Sequence, residues 1–502
     1  MAFGLRLLLL FPIPAVILAQ SLTLPWSNYG RDPQHRALST VPSQPLRRVK
    51  WQAPVDLAPQ YSGNELLIHY GSPLLTASNS VIIPVKTGAT DGFRIDVRNA
   101  IDGLLKYSLS TDYSLPPHNW TPSFGPVLTV RNRLYWAGAG GTVYYRDQPD
   151  SSTGASGQIA FYGNDLYSSN KSEFDANVRI STPLIADRYG SIFFGYSVLG
   201  PNPASLTGGI ARIDFTGAGS FITAVSAAGG DATITEVAMN CTPTLSNDQR
   251  TLYFTVSSGD QGNGYLVSVN SLTLAPVARV LLIDPSSGNP ALLVDDGSAT
   301  PLVGPDGDVF YGVLENPAGS NNERGWMLHF DSTLTQTKMP AAFGWDDTGS
   351  IVPSSAVPSY DGSSLYLVLT KYNNYADAGG DGINKVAILD PNATESDPVS
   401  GLRVMKQVIT IAGPTPDPDF RPAQPNAVKE WCINSAAVDP FSQSALVNNE
   451  DGVLYRWDFT TNTLTQSLVL TPGIGEAYTP TVIGPDGTVY AINNATLFAV
   501  GQ

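Results

Sequence analysis

The chain has 502 residues, of which 47 are Gly and 39 are Pro, and only 14 % of its residues are charged. Together with 42 % hydrophobic residues, this composition excludes a charged helical protein and an intrinsically disordered one, which needs low hydrophobicity and high charge. The formal net charge of −15 argues against a nucleic-acid-binding protein, because such proteins present a basic surface.

The N-terminus has the layout of a secretory signal peptide. A weakly basic start is followed by an apolar run from Leu7 to Leu18, which is too short to span a bilayer. We expect residues 1–19 to be removed and residues 20–502 to form one domain, extracellular or, in a Gram-negative bacterium, periplasmic. The alternative is a buried N-terminal helix or anchor, which Pro12 and Pro14 disfavour.

No later stretch has the roughly 18 uninterrupted apolar residues of a membrane span, so none is expected in the mature protein. The chain contains five Asn-x-Ser/Thr sequons, which would carry glycans only in a eukaryotic source.

One type of segment recurs eight times. Each copy has a small residue, an apolar run, a polar turn and then further apolar and aromatic runs. The copies begin at Ser72, Gly125, Thr182, Thr242, Thr300, Ser355, Ser435 and Thr479. Four short runs of β-branched and aromatic residues in roughly 45 to 60 residues are typical of a β-propeller blade. The sequence therefore predicts an all-β, eight-bladed β-propeller, with a long Pro-rich inserted loop at residues 391–431.

The two chain ends are expected to close this ring. The last copy stops after its third strand, at Thr496 to Val500, and the stretch from Arg48 to Trp51 can supply the fourth strand. Pairing of these strands leaves no unmatched edge or face. The alternative is an array of independent hairpins.

Two stretches resemble a known family. The stretch from Trp26 to His35 resembles the opening of secreted quinoprotein-like propellers, and the stretch from Tyr478 to Val500 resembles their repeat, with its Thr-Pro start and Pro-Asp-Gly turn. Residues 97–107 match another part of that repeat, with Tyr107 where the family usually has Trp. The family contains pyrroloquinoline quinone (PQQ) dehydrogenases and also non-catalytic scaffolds, so the resemblance implies a fold and not an activity.

For an active dehydrogenase, the resemblance implies PQQ and Ca²⁺ in the central funnel, a stacking Trp, a catalytic Asp and, in many members, a disulfide between adjacent cysteines. The only cysteines here are Cys241 and Cys432, and no set of Glu, Asn and Asp can be placed on the calcium-ligand positions. We therefore expect a non-catalytic binding or scaffold protein without an assigned cofactor. A PQQ- and calcium-dependent oxidoreductase is the alternative, and a glycan-acting hydrolase or lyase is a third hypothesis.

Segments just before each innermost strand surround one mouth of a propeller, and most of them carry an ionisable residue here. The candidate funnel residues are His69, Arg179, Glu236, Asp296, Asp347, Glu430, Trp431 and Glu476. A ring of carboxylates can bind a cation or a basic ligand, and its members raise one another's pKa. The alternative is that these are solvated loop charges. We expect a protein, small-molecule or glycan ligand at this face, and a monomer.

The sequence does not decide whether the two cysteines form a disulfide. A secreted protein with two cysteines favours a bridge. However, Cys241 and Cys432 precede the innermost strands of copies that are not neighbours, which would separate them by more than the ~4.4–6.8 Å that a disulfide permits between Cα atoms. A bridge would require the 391–431 insertion to cross the mouth.

Overall fold

The computed structural model describes residues 26–63, 65–297, 299–431, 433–473 and 479–502, without the side chain of Asn434. The expected signal peptide, Cys432 and Glu476 lie outside the described residues. None of the helices in these ranges combines the length and the apolar character needed to cross a membrane.

The described chain forms an eight-bladed propeller, in which each blade is an antiparallel sheet. Before the first blade come β1 (Arg48–Pro54), β2 (Tyr61–Ser62) and β3 (Glu65–Leu66). Blade 1 contains β4 (Leu74–Leu75), β5 (Ser80–Lys86), β6 (Phe93–Asn99) and β7 (Leu105–Ser110), and blade 2 contains β8 (Val127–Leu128), β9 (Arg133–Ala137), β10 (Thr142–Asp147) and β11 (Ser156–Ala160). Blade 3 contains β12 (Val178–Ile180), β13 (Ile185–Ala186), β14 (Ile192–Val198), β15 (Gly209–Ile213) and β16 (Gly219–Thr223), and blade 4 contains β17 (Glu236–Val237), β18 (Thr244–Leu245), β19 (Thr251–Ser257), β20 (Gly264–Asn270) and β21 (Pro276–Leu281).

The other blades follow the same plan. Blade 5 contains β22 (Leu302–Val303), β23 (Val309–Val313) and β24 (Trp326–Phe330), and blade 6 contains β25 (Ser350–Pro353), β26 (Tyr366–Tyr372), β27 (Lys385–Ser396) and β28 (Arg403–Ala412). Strand β29 (Ile433–Ser435) follows blade 6 along the chain. Blade 7 contains β30 (Ala437–Asp439), β31 (Ser444–Asn448), β32 (Val453–Asp458) and β33 (Thr463–Val469). Blade 8 contains β34 (Thr479–Ile483), β35 (Val489–Asn493) and β36 (Thr496–Gly501). The short helices are α1 (Asn164–Ser169), α2 (Lys171–Asn177) and α3 (Ala224–Ala227), with 3₁₀ turns at Ala139–Gly141 and Ser354–Ala356.

The burial of each strand follows its place in the blade. All seven residues of β5 are buried, because both faces of this strand are covered by neighbouring blades. In contrast, β33 alternates between exposed and half-buried residues, as expected for an outer edge with one face in water. Blades pack through aromatic contacts, such as Phe161 of the blade 2–3 connection against Tyr196 of β14, with ring centroids 4.6 Å apart.

The chain ends close the ring as predicted. Strand β1 pairs antiparallel with β36, from Arg48 opposite Gly501 to Pro54 opposite Thr496. Trp51 of β1 is buried, and its Nε1 donates a hydrogen bond to the Ala100 carbonyl of blade 1 at 2.9 Å. The N-terminal strand therefore completes blade 8 and ties it to blade 1.

The expected inserted loop at residues 391–431 is wrong over its first half. Residues up to Ser396 belong to β27, and β28 returns from Arg403 to Ala412. The pairing shifts register between Asp390 and Thr394, and this irregularity accommodates Pro391 within the hairpin. Only residues 413–431 form a connection without a strand.

The sixth copy is also misplaced. Its innermost strand is β25, in which Ile351 pairs with Val368, whereas Ser355 and Ala356 belong to a 3₁₀ turn. The two stretches share the same pattern of small and apolar residues, but only the earlier one is paired in the sheet.

Residues 26–39, which we call the plug, fill the centre of the ring. In blades 1 to 7, the second residue of the innermost strand donates its backbone N–H to the plug at 2.8–3.1 Å. The pairs are Leu75 to Trp26 O, Leu128 to Ser27 O, Ala186 to Asn28 Oδ1, Leu245 to Pro33 O, Val303 to Gln34 O, Ile351 to Arg36 O and Val438 to Ala37 O. The plug therefore follows the blades around the channel in chain order.

The tight course of the plug depends on Gly30. Its φ is +55°, and a Cβ on this residue would lie 2.8 Å from the Cα of His35. The fully buried His35 ring has its Nδ1 within 2.8–3.0 Å of Thr244 Oγ1, Thr300 Oγ1 and the Pro301 carbonyl. The residues that donate these hydrogen bonds to the plug lie at the ends of the innermost strands, just before the turn to the second strand of each blade. The plug therefore occupies the channel near the mouth that these turns form. We call this the lower mouth.

Candidate functional site

The upper mouth is formed by two sets of loops. The segments that lead into the innermost strands meet there, and so do the loops between the second and third strands of each blade, because successive antiparallel strands reverse direction. The plug fills the opposite end, so the upper mouth leads into a blind funnel.

A cavity of about 340 Å³ lies at the upper mouth, and we call it the acidic cavity. Loops of blades 5, 6 and 7 form one side, and segments before blades 1 and 2 form the other. The lining residues are Glu65, Trp120, Glu323, Trp345, Lys371, Tyr375, Asp377, Asp417, Asp419, Phe420, Lys429, Glu430 and Glu450. An adjoining groove of about 830 Å³ shares Glu65, Asp419, Lys429 and Glu450 with it.

Carboxylates exceed cations in the lining by seven to two. Both lysines are already engaged. Lys429 Nζ lies 3.3 Å from Asp417 Oδ1 and 3.4 Å from Glu450 Oε1. Lys371 Nζ lies 2.7 Å from Asp346 Oδ2, and both of these side chains are almost fully buried. The cavity therefore has uncompensated negative charge.

Two glutamates are held side by side at the blade 7 side of the cavity. The Glu430 N–H donates to Glu450 Oε2 at 3.1 Å, and the Glu450 N–H donates to the Glu430 carbonyl at 3.0 Å. Burial and the neighbouring Glu450 raise the pKa of Glu430 well above its ordinary value. Burial likewise raises the pKa of Glu450. Proximity and burial thus favour a proton on this pair.

Aromatic rings form the walls between these charges. Trp120, Trp345, Tyr375 and Phe420 all line the cavity. The Tyr375 hydroxyl donates to Asp346 Oδ2 at 2.9 Å, which fixes this ring near the Lys371 ion pair. Trp345 Nε1 donates to the Glu323 carbonyl. The arrangement combines aromatic faces with carboxylates.

A second acidic group lies beside the cavity, where Trp120 connects the two. Asp295 N–H donates to Asp260 Oδ1 at 2.9 Å, and Trp120 N–H donates to Asp296 Oδ1 at 3.3 Å. Burial, followed by repulsion from Asp260 and Glu236, raises the pKa of Asp295 to about 7. Burial also raises the pKa values of Glu236 and Asp296.

Several predicted funnel residues do lie at the upper mouth. Glu430 lines the acidic cavity, and Glu236 and Asp296 belong to the second acidic group. Asp347 lies next to the Lys371 ion pair, where it accepts hydrogen bonds from Thr370 Oγ1 and the Lys371 N–H at 3.1 Å. Burial and the neighbouring Asp346 raise the pKa of Asp347 to about 7. A role of these residues in ligand binding remains a prediction.

The side chains of three other predicted funnel residues contact the fold itself and not the acidic cavity. Arg179 donates to the carbonyls at the end of α2, including those of Val178 and Ala176 at 3.2 Å. Trp431 is fully buried in the hydrophobic core with blade 6 and 7 residues and packs edge-on against Tyr455. His69 is buried beside the Trp120 ring, with centroids 5.8 Å apart. Their positions before innermost strands are correct, but none of these side chains lines the acidic cavity.

Most of the lining was missed from the sequence. Glu323, Lys371, Tyr375, Asp377 and Glu450 lie in or next to loops between second and third strands, outside the segments that supplied the candidate funnel residues. The signal that would have found them is topological, because these loops share a mouth with the segments before the innermost strands.

The disulfide stays a prediction, because Cys432 lies outside the described residues. Cys241 is buried in the core that contains Tyr311. Burial raises the pKa of its thiol to about 11, against the effect of Thr255 and Tyr311 nearby.

The described residues do not fit PQQ with Ca²⁺. In the described ranges, no group of three or more His, Cys, Asp and Glu side chains has an arrangement that would hold a metal ion. PQQ is itself a tricarboxylate, and the lining is acidic with both lysines in ion pairs. Bringing PQQ into this cavity would place like charges together in a partly dry site.

Solved structures similar to this chain share its β-propeller fold. No family model matches the chain, and no curated protein has significant sequence similarity to it.

A europium-containing methanol dehydrogenase has a TM-score of 0.57 and 10 % identity, covering 93 % of this chain and 89 % of that one. The quinohemoprotein alcohol dehydrogenase of Comamonas testosteroni has a TM-score of 0.55 and 11 % identity, covering 96 % and 82 %. Sqt1 of Saccharomyces cerevisiae has a TM-score of 0.51 and 10 % identity, covering 92 % and 100 %. At these identities the likeness concerns the fold alone.

Proposed function

We propose that this chain is a secreted, monomeric, non-catalytic binding protein that takes a ligand into the blind funnel of its upper mouth. The acidic cavity carries this proposal. Its volume of about 340 Å³ lies in the range of about 300–1,000 Å³ typical of small-molecule sites. Its lining combines four aromatic residues with charged groups that can fix the orientation of a ligand.

A PQQ-dependent dehydrogenase is supported by the likeness in fold, and the acidic lining argues against it. A glycan-acting hydrolase is the second candidate, because one observation favours it. A carboxyl with a raised pKa, on Glu430, lies beside a second carboxyl, on Glu450, in a cavity with aromatic walls. Paired carboxyls of this kind provide the acid and base of glycoside hydrolysis.

The experiment measures binding to the mature protein by calorimetry, with three probes: spermidine, cellotriose, and PQQ with Ca²⁺. We expect saturable binding of spermidine or cellotriose, and weaker binding by at least threefold in Phe420→Ala, which shortens an aromatic wall. Ile101→Ala is the matched control, because Ile101 is exposed and 66 % accessible on blade 1. Hydrolysis of cellotriose that Glu430→Gln abolishes would establish the second candidate instead.

PQQ-dependent dye reduction would establish the dehydrogenase. If no probe binds saturably at millimolar concentration, the binding proposal fails.

A further inference from the structure

We infer that residues 116–123 form a strap across the upper mouth, and that ionisation of the second acidic group releases the tip of this strap. The second acidic group consists of Glu236, Asp260, Asp295 and Asp296. The inference goes beyond the proposed function, because the strap can be observed without any ligand. It also bears on the proposed site, since Trp120 of the strap lines the acidic cavity.

The base of the strap is fixed by short hydrogen bonds to two other segments. The strap belongs to the connection between blades 1 and 2. The Thr121 N–H donates to the Leu67 carbonyl at 3.0 Å, and the His69 N–H donates to the Thr121 carbonyl at 2.9 Å. The Ser123 N–H donates to Oδ1 of the buried Asn240 at 2.8 Å. None of these bonds involves an ionisable group, so the base is a fixed point.

The tip of the strap reaches across the mouth and is held by two carboxylates. Asn119 Nδ2 donates to Asp260 Oδ2 at 3.4 Å, and the Trp120 N–H donates to Asp296 Oδ1 at 3.3 Å. Asp260 lies between β19 and β20 of blade 4, and Asp296 precedes blade 5. Both bonds are longer than those at the base, and bonds of this length are weaker. The tip is therefore the part of the strap that can be released.

The two holding carboxylates belong to a group of like charges. Asp260 Oδ1 accepts the Asp295 N–H at 2.9 Å, while its other oxygen holds the strap. The charged groups that face Asp295 are Glu236 of β17, Asp260 and the adjacent Asp296, and the other titratable group near it is the Tyr311 hydroxyl of β23. In the described part of the chain, none of the four carboxylates forms an ion pair with a lysine or arginine.

Ionisation of this group works against the closed strap. Burial, followed by repulsion from Asp260 and Glu236, raises the pKa of Asp295 to about 7. When Asp295 loses its proton, it adds a negative charge for which the group has no cation. Entry of water and separation of the Asp260 loop from Asp295 both relieve this cost. Both changes also draw Asp260 and Asp296 away from the tip of the strap.

The size of the effect follows from proton linkage. If Asp295 returns to an ordinary pKa near 4 in the open state, the open fraction rises about tenfold between pH 6 and pH 8 and then levels off. Ionisation of Asp296 alone has the opposite effect, because a charged carboxylate accepts the Trp120 N–H more strongly than a neutral one does. The sign of the pH dependence therefore separates the two possibilities.

The experiment is hydrogen–deuterium exchange of the mature protein at pH 6 and pH 8, with fragmentation that resolves single amides. Each exchange rate is divided by the intrinsic rate of an unfolded peptide at the same pH. We expect the protection of the Trp120 amide to fall about tenfold from pH 6 to pH 8. The Thr121 amide is the internal control, because it bonds to the Leu67 carbonyl, and its protection should change by less than about twofold.

Two variants test the origin of this change. Asp295→Asn has no charge to gain, so its Trp120 protection at pH 8 should stay within about twofold of the value at pH 6. Glu236→Gln removes one of the charges that repel Asp295, and the fall in protection should then be less than about fivefold. Melting temperatures check that both variants fold, and either variant alone suffices for the test.

Two further variants are controls and should keep the wild-type fall of about tenfold. Asp361→Asn removes the same charge from an exposed residue between β25 and β26, at the lower mouth of blade 6. His118→Gln removes the titratable side chain of the strap itself, whose Nδ1 lies 2.7 Å from the Pro116 carbonyl.

Four results would overturn the inference. Trp120 protection that stays constant or rises with pH would do so, and so would an equal fall at Thr121, which would indicate general opening. A wild-type fall in Asp295→Asn, or the loss of the fall in His118→Gln, would assign the change to another group. Because no ligand takes part, each of these results leaves the binding proposal to its own experiment.

Discussion

Replacing Asp347 by Asn should stabilise the protein at alkaline pH. Burial and the neighbouring Asp346 raise the pKa of Asp347 to about 7, while an unfolded aspartate has a value near 4. Between these values the folded state binds the proton more strongly, so the contribution of Asp347 to stability falls as pH rises from about 4 to 7 and stays low above it. This difference corresponds to roughly 4 kcal/mol against the folded state at pH 8.

Asparagine carries no charge at any pH, and so it removes this cost. The gain in stability is reduced by weaker hydrogen bonds. Asp347 accepts hydrogen bonds from Thr370 Oγ1 and the Lys371 N–H, and an amide oxygen accepts them less strongly than a carboxylate does. Allowing about 1–3 kcal/mol for that loss, we expect Asp347→Asn to gain about 1–3 kcal/mol at pH 8. At pH 5 the cost is only about 1.5 kcal/mol, because the unfolded aspartate is ionised while Asp347 in the folded state is still largely protonated. The lost hydrogen bonds offset a cost of that size, so we expect no net gain at pH 5.

The assay is urea unfolding at pH 5, 6, 7 and 8, with the midpoints of variant and wild type compared at constant slope. Asp439→Asn provides a control of opposite sign. Burial alone would raise the pKa of Asp439. Hydrogen bonds from Ser43 and Ser442 outweigh this effect and hold the pKa below its ordinary value.

Asp439→Asn should therefore lose about 2–4 kcal/mol at pH 7, and less below about pH 4, where the wild type loses the same contribution. An Asp347→Asn difference that is equal at pH 5 and pH 8 would refute the reasoning.

Three further predictions concern the plug and the ring closure. Gly30→Ala should cost about 1–3 kcal/mol, because it puts a Cβ against His35 at a positive φ; thermal unfolding measures this, and an unchanged melting temperature would contradict the role assigned to Gly30. Trp51→Ala should cost about 3–5 kcal/mol, while exposed Leu104→Ala should leave the melting temperature nearly unchanged. Burial lowers the pKa of His35 to about 4, so the wild type should lose stability between about pH 6.5 and 4, and His35→Gln should flatten this loss; an equally steep acid limb in the variant would show that another group causes it.

The propeller could be predicted because its strands carry local signals. The Gly304-Pro305-Asp306-Gly307 turn and the runs on either side of it identify two strands without any tertiary information. The sixth blade shows where such signals stop. Ser350-Ile351-Val352 and Ser355-Ala356-Val357 have the same character. Hydrophobic residues of both stretches are buried in the core, but only the first stretch pairs in the sheet.

The site was less predictable, because position before an innermost strand does not fix the direction of a side chain. Glu430 lines the cavity while the adjacent Trp431 packs in the core. Arg179 binds the carbonyls of α2, a helix that the repeat pattern did not reveal. Loop residues such as Tyr375 can be identified as site residues only when it is known at which mouth of the propeller each loop lies.

The plug also explains why a ligand would reach this protein from one side. Seven inner strands donate backbone N–H groups to it, including those of Leu75 and Val438 at opposite ends of its course. A buried donor without a partner costs about 1–3 kcal/mol, so leaving all of them unpaired would cost on the order of 10 kcal/mol, comparable with the stability of a whole domain. Removing the plug would therefore require water to enter the channel in its place. The stretch from Trp26 to His35, through which the sequence resembles quinoprotein-like propellers, thus acts as a structural element that seals the lower mouth and leaves the acidic cavity as the accessible end of the funnel.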